Sequence, residues 1–183
     1  MAKANCIIVL GNGSADSELT ERRRNILFGG KYEAPMMGES AHEGVCRAVD
    51  WLRHLRSRGM QVHCLVFTSG YRSGYYKESL AGLMEQKSLP ELKLLPEGKK
   101  VARLVNRCPS ICGFISEMRW AYRQVRKQYP DADIWVVARG FNVLYVQVLS
   151  FFWPRLRVRM VPEDIPAGSA DFLDDGEEDA LRA

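Results

Sequence analysis

Short apolar runs alternate with amphipathic segments along most of the chain, and this alternation limits the fold more than any other feature. Residues 5–10 form a short apolar run that ends in Gly11-Asn12-Gly13-Ser14. Similar runs lie at 62–68, 92–95 and 134–138. Between them, helical spacing recurs. Val45, Val49, Leu52 and Leu55 make a stripe over 43–58, stopped by Gly59. Leu80, Leu83 and Met84 make another over 75–86. A helical pattern starts at 98–107, breaks at Pro109 and resumes over 111–129, with Ile115, Met118, Tyr122 and Val125 on one face. Residues 142–152 form a last helix, ended by Trp153-Pro154. Residues 157–161 alternate Arg, Val, Arg, Met, Val, the mark of a strand with one wet face and hence of an edge. Apolar strands separated by helices predict an α/β fold. With right-handed crossovers the expected form is a doubly wound, Rossmann-like, mostly parallel sheet of five strands with helices on both faces.

A single domain over 1–166 is expected, followed by an acidic tail over 167–183. Residues 16–27 carry acids early and Arg22, Arg23 and Arg24 late, as a short helix would. An irregular excursion covers about 28–41, where Gly-Gly, a proline and two methionines interrupt any period. No apolar run approaches the roughly 20 residues of a membrane span, and no signal-peptide pattern is present, so the expected compartment is the cytoplasm. Cys6, Cys46 and Cys64 fall in apolar periodic segments and are expected to pack as small hydrophobes. Cys108 and Cys112 are spaced as C-x3-C without the further ligands of a zinc site, so no metal is expected. Trp51, Trp120, Trp135 and Trp153 are read as core.

Charge is uneven. Residues 161–183 hold eight acids and one base, which leaves 25 bases and 14 acids before them. A body at +11 fits an anionic partner, or simply solvated arginine-rich helix faces.

In such folds ligands bind at the carboxyl ends of the strands. The candidate ligand-binding residues there are Gly11, Asn12, Gly13 and Ser14 after the first strand, and Ser69 and Gly70, next to Thr68, after the second. Glu97 follows the expected third strand, and Arg139 and Asn142 follow the fourth. Glycine lets the backbone approach a ligand, and amides at a helix start favour an anion, although the same glycines serve a plain tight turn. Glu78, in the first turn of its helix, suits a ribose hydroxyl or a general base, or the helix dipole alone. Arg139 suits a phosphate or carboxylate, or a crevice glutamate. The full dinucleotide fingerprint is missing, since Asp16 stands at the third glycine position. A P-loop and a serine-nucleophile elbow are also missing. His42, His54 and His63 form no pattern, and His54 is assigned to a polar helix face.

The order of these motifs resembles a bacterial domain family typified by YdcF, SanA and ElyC. Val9-Leu10-Gly11 is similar to its first motif, and Arg47 with the stripe to Leu55 to its Arg-led helix, with Arg22 as a competing match. Thr68-Ser69-Gly70 is similar to its second strand end, with Tyr71 at the usual second glycine. Glu78 and Glu97 fall where its two glutamates belong. Lys99, Lys100 and Val101 replace its Ser and Asn-Thr run, and Phe141 and Asn142 occupy the region of its histidine. The resemblance spans about residues 5–161. It implies a Rossmann-like fold with a small-ligand crevice, for which nucleotide-like ligands such as S-adenosylmethionine come into consideration.

Three functions follow as expectations. The first is a protein that binds a small anionic or nucleotide-like ligand, compatible with transfer or hydrolysis but with no residue standing out as a nucleophile. The second is a nucleic-acid-associated protein using the basic body, including Arg53, Arg56, Arg58, Arg123, Arg126 and Lys127. The third is a non-enzymatic interaction module.

Overall fold

The computed structural model of the 183-residue chain describes residues 4–11, 39–70, 79–95, 98–111, 113–138, 141–153, 156–162 and 164. Among these, the chain runs β1 (Asn5–Val9), α1 (Glu39–Ser57), β2 (Val62–Phe67), α2 (Leu80–Leu94), a short 3-10 turn (Gly98–Lys100) and β3 (Ala102–Val105). It continues through α3 (Phe114–Gln128), β4 (Asp133–Val137), α4 (Phe141–Phe152) and β5 (Arg159–Met160). The expected helix at 16–27, most of the 28–41 excursion and the 167–183 tail lie outside the described residues.

All five strands are parallel, in the order β3-β2-β1-β4-β5. The Rossmann-like α/β reading therefore holds. β1 is central and every one of its residues is buried, which explains why its sequence lacks polar alternation. The two-residue period of a strand then divides the core in two. Ile7, Val9, Leu65 and Phe67 face α1 and α2, with Val45, Leu52, Leu55, Leu80 and Met84 packed on them. Cys6, Ile8, Cys64, Val66, Ile134 and Val136 face α3 and α4, with Met118, Ala121, Val125 and Val146 on them. Helices thus cover both faces of the sheet.

α1 ends where Gly59 turns to φ +72 and Met60 N–H donates to Leu55 O at 3.0 Å, a helix-closing pattern that suits glycine. Near the same end, His54 corrects the sequence reading. It is buried and stacked on Trp51 at 4.7 Å, not on a polar face, and Trp51 packs edge-on against Trp135 at 4.9 Å. Cys6 and Cys64 are buried as expected and are register partners on β1 and β2. Their mutual hydrogen bond, together with burial, holds the Cys64 thiol protonated far above the ordinary thiol range. Cys46 is exposed and is not a core residue.

The region between β2 and α3 departs most from the sequence reading. Residues 92–94 are not a strand. They complete α2, which runs through Pro90 and puts Leu80, Met84, Ser88 and Leu92 on one inward face at four-residue spacing. Continued burial of Leu92 outweighs the one backbone hydrogen bond that Pro90 forgoes. The third strand is instead Ala102–Val105, inside the segment whose charges read as helical. Its position at the sheet edge explains those charges: Arg103 is exposed and reaches the Glu85 carboxylate of α2 at 3.3 Å, and Arg107 reaches the same carboxylate at 3.2 Å. β5 forms the other edge, as expected, with the Arg159 guanidinium over the Trp135 ring at 5.4 Å. No helix among the described residues is long and apolar enough to cross a membrane.

Candidate functional site

A parallel sheet presents its carboxyl ends together, and the strand order here reverses between β1 and β4. The ladder runs one residue past the strands at this edge. Leu10 N–H donates to Val137 O at 3.1 Å, Thr68 N–H to Val9 O at 3.3 Å and Asn106 N–H to Phe67 O at 3.0 Å. Gly11, Thr68-Ser69-Gly70, Asn106 and Ala138 are thereby placed along one rim.

Thr68 links the rim together. Its Oγ1 accepts the Gly11 N–H at 3.2 Å and donates to Glu117 Oε2 at 3.0 Å. Glu117 stands in the first turns of α3, and its other oxygen accepts the Gly113 N–H at 3.1 Å. Gly113 precedes the helix with φ +92, a conformation that glycine adopts without strain, and brings no side-chain cap, so Glu117 reaches back to do that work. One carboxyl group, 5% exposed as a residue, therefore ties the ends of β1 and β2 to the loop that opens α3. Among the described residues, no cation pairs with it.

Burial raises the Glu117 pKa above the ordinary carboxyl range, while the Thr68 hydroxyl, the Gly113 amide and the Ser69 hydroxyl oppose the rise. The sign of the pH effect follows. The folded chain keeps the Glu117 proton at pH values where the unfolded chain has lost it. This contribution to stability is complete below the unfolded pKa and is lost as pH rises through the folded pKa. Urea unfolding of the native chain and Glu117→Gln across pH is therefore expected to show the native chain losing ground to the variant through that window and no further change above it. A difference between the two that does not vary with pH would refute the assignment.

Behind the carboxyl group lies a second buried set. Asn106, 1% exposed, donates from Nδ2 to Thr68 O and to Ile111 O (2.9 Å), and its Oδ1 accepts the Cys108 N–H at 3.0 Å. Ser79 caps α2, accepting the Gly82 N–H at 3.1 Å while its hydroxyl donates to Asn106 O at 3.1 Å. The 106–111 loop is thus folded directly over Gly70. A Cβ on Gly70 would overlap Cys108 O and crowd Ile111 O, and one on Gly11 would overlap Ser69 Cβ.

Of the residues expected from sequence, the structure brings Gly11, Ser69 and Gly70 to this rim. Asn142 stands in the first turn of α4, past the carboxyl end of β4. Asn12, Gly13, Ser14, Glu78, Glu97 and Arg139 lie outside the described residues. In the chain Glu97 comes before β3, not after it, so the third strand end belongs to Asn106 instead. The sequence reading missed Asn106 and Glu117. It placed the inward face of α3 on Ile115, Met118, Tyr122 and Val125, whereas the buried positions are Glu117, Met118, Ala121 and Val125, and Ile115 is exposed. A glutamate in phase with that apolar stripe was the available signal.

On the far side of the Gly113 loop an open groove of about 880 Å³ runs between α3 and α4. Phe114, Trp120 and Tyr145 line it together with Arg119 and Arg123, neither of which pairs with an acid among the described residues. The Phe114 and Tyr145 rings meet at 5.4 Å. Comparison with protein-family models, with curated proteins and with solved structures finds no match to this chain.

Proposed function

We propose that this protein binds a small anionic or nucleotide-like ligand at the carboxyl ends of β1 and β2, as a divergent relative of the YdcF, SanA and ElyC family. The observation that carries this reading is the buried Glu117 carboxyl group, which among the described residues is held by Thr68, Ser69 and Gly113 and by no cation. A carboxyl group in that position is costly to bury, and such costs concentrate at functional sites. Glu117 acts as a positioning residue: it fixes Thr68, which fixes the Gly11 amide, so the rim is ordered before a ligand arrives. The groove next to Gly113, with Arg119 and Arg123, favours a negatively charged group on the ligand. The free thiols Cys6, Cys46, Cys64 and Cys108 suit a reducing compartment such as the cytoplasm.

Thermal unfolding against nucleotides, S-adenosylmethionine, sugar nucleotides and polyphosphates tests the reading. A ligand at 100 times its Kd adds roughly 2.7 kcal/mol. For a chain of this size that is an upward Tm shift of roughly 5–11 °C. The expected result is such a shift with one compound class, lost in Glu117→Gln. A flat panel, on protein shown by mass to carry no copurified ligand, overturns it. An oligonucleotide added to the same panel separates the macromolecular reading, for which the aromatic groove with its two arginines is the specific observation. A shift with the oligonucleotide alone, falling steeply with salt, would transfer the function to nucleic acid.

A further inference from the structure

We infer that the outer face of α4 is the contact between two copies of this chain, arranged antiparallel about a two-fold axis at Val148. α4 is apolar on opposite sides. Val146 is buried in the core, with Val143 and Leu149 packed beside it. The other side carries Leu144 (55% exposed), Tyr145 (50%), Val148 (44%), Phe151 (80%) and Phe152 (77%). At roughly 150–250 Å² for each aromatic side chain, these exposures leave on the order of 700 Å² in water, against about 800 Å² per partner in a stable interface. Patches of this size are uncommon on monomers that stay monomeric.

The pattern itself selects the occupant. Counted from Val148, the large residues fall at −4, −3, +3 and +4, so the stripe reads the same in both directions along the helix. An antiparallel copy then sets Phe151 and Phe152 against the partner helix's opposite end, where Leu144 and Tyr145 stand, and the small Val148 falls at the crossing, where the helices come closest. That is the self-complementarity an isologous two-fold contact requires. The charge pattern points the same way. The twelve residues of α4 include no acid and no base. Pairing the two α4 helices therefore brings no like charges of their own together. The same neutrality leaves nothing on this helix for nucleic acid or for the acidic 167–183 tail to pair with. A helix lying on a lipid surface normally carries lysine or arginine on its polar face, which α4 also lacks.

Light scattering and sedimentation on the full chain over a wide concentration range test the inference. The expected species is a dimer of twice the 20.8 kDa chain mass. Val148→Asp places two carboxylates across the axis and is expected to weaken the dimer by at least about 30-fold, the size of a hot-spot loss. Its circular dichroism should match the native chain, because Val148 does not belong to the core. Val148→Cys should form an intermolecular disulfide under mild oxidation much faster than the parent chain, whose Cys46 and Cys108 are also exposed. A monomer throughout the range overturns the inference, as does a dimer that Val148→Asp leaves intact. Crosslinking of Val148→Cys no faster than the parent overturns it equally, as does a monomer that instead binds anionic lipid vesicles.

Discussion

Gly70→Ala is expected to lower stability by about 3 kcal/mol or more, at the upper end of what overpacking costs. The reason is the nature of the obstacle. A Cβ at Gly70 overlaps the Cys108 carbonyl oxygen and crowds that of Ile111, and both belong to backbone. A side chain could rotate away, but this loop cannot, because Asn106 holds it from both ends through Ile111 O and the Cys108 N–H. The variant must therefore either break those bonds or push β2 and its neighbours apart. For a chain of this size the Tm should fall by at least roughly 6–12 °C. Gly44→Ala is the matched control. Gly44 lies within α1, and a Cβ there meets only Val9 Cγ1 at 3.8 Å, an ordinary contact. That substitution should be neutral or stabilising by about 0.5–1 kcal/mol, the usual gain for alanine inside a helix. If Gly70→Ala unfolds like the native chain, the 106–111 loop is not packed over β2 as described.

The same rim shows what could be read from the residues alone. β1, β2 and β4 were legible because each contains four consecutive apolar residues (6–9, 64–67 and 134–137), and such runs separated by helices leave little besides a parallel sheet. β3 was not legible. A four-residue edge strand carrying Arg103 has only one face to bury, and its charges mimic those of a helix surface. The error propagated: a strand placed at 92–95 put Glu97 on the rim and left Asn106 unconsidered. The expected helix also ends too early in the same region: it stops at residue 86, whereas packing of Leu92 keeps the chain helical through Pro90 to Leu94. For the site, Gly11, Ser69 and Gly70 were found by glycine and hydroxyl residues following apolar runs. Glu117 falls outside the expected stripe because that stripe is centred roughly a sixth of a turn away from the true inward face of α3. Its distance of 49 residues from Thr68 leaves no local sequence trace of their bond.

Asn106→Ala should be as damaging as the glycine substitution, and for a complementary reason. The side chain satisfies Thr68 O, Ile111 O and the Cys108 N–H at once, and alanine satisfies none of them. Each buried polar group left without a partner costs about 1–3 kcal/mol. Cys108 is exposed enough to recruit water, so the expected loss is roughly 3–5 kcal/mol rather than the full sum. Thermal or urea unfolding reads it directly. Asn106→Asp separates lost hydrogen bonding from lost volume, because its size is unchanged. The aspartate keeps an acceptor for Cys108 N–H but, when ionised, turns an oxygen toward the Thr68 and Ile111 carbonyls. Its folded-state pKa is thereby raised, so the variant should regain stability as pH falls and the protonated carboxyl donates to one of them. Combining Asn106→Ala with Gly70→Ala should cost less than the two losses added, since both act on one loop and the loop can be released only once. Strict additivity would mean that the two residues support separate parts of the rim, and that Asn106 does not hold the segment that closes over Gly70.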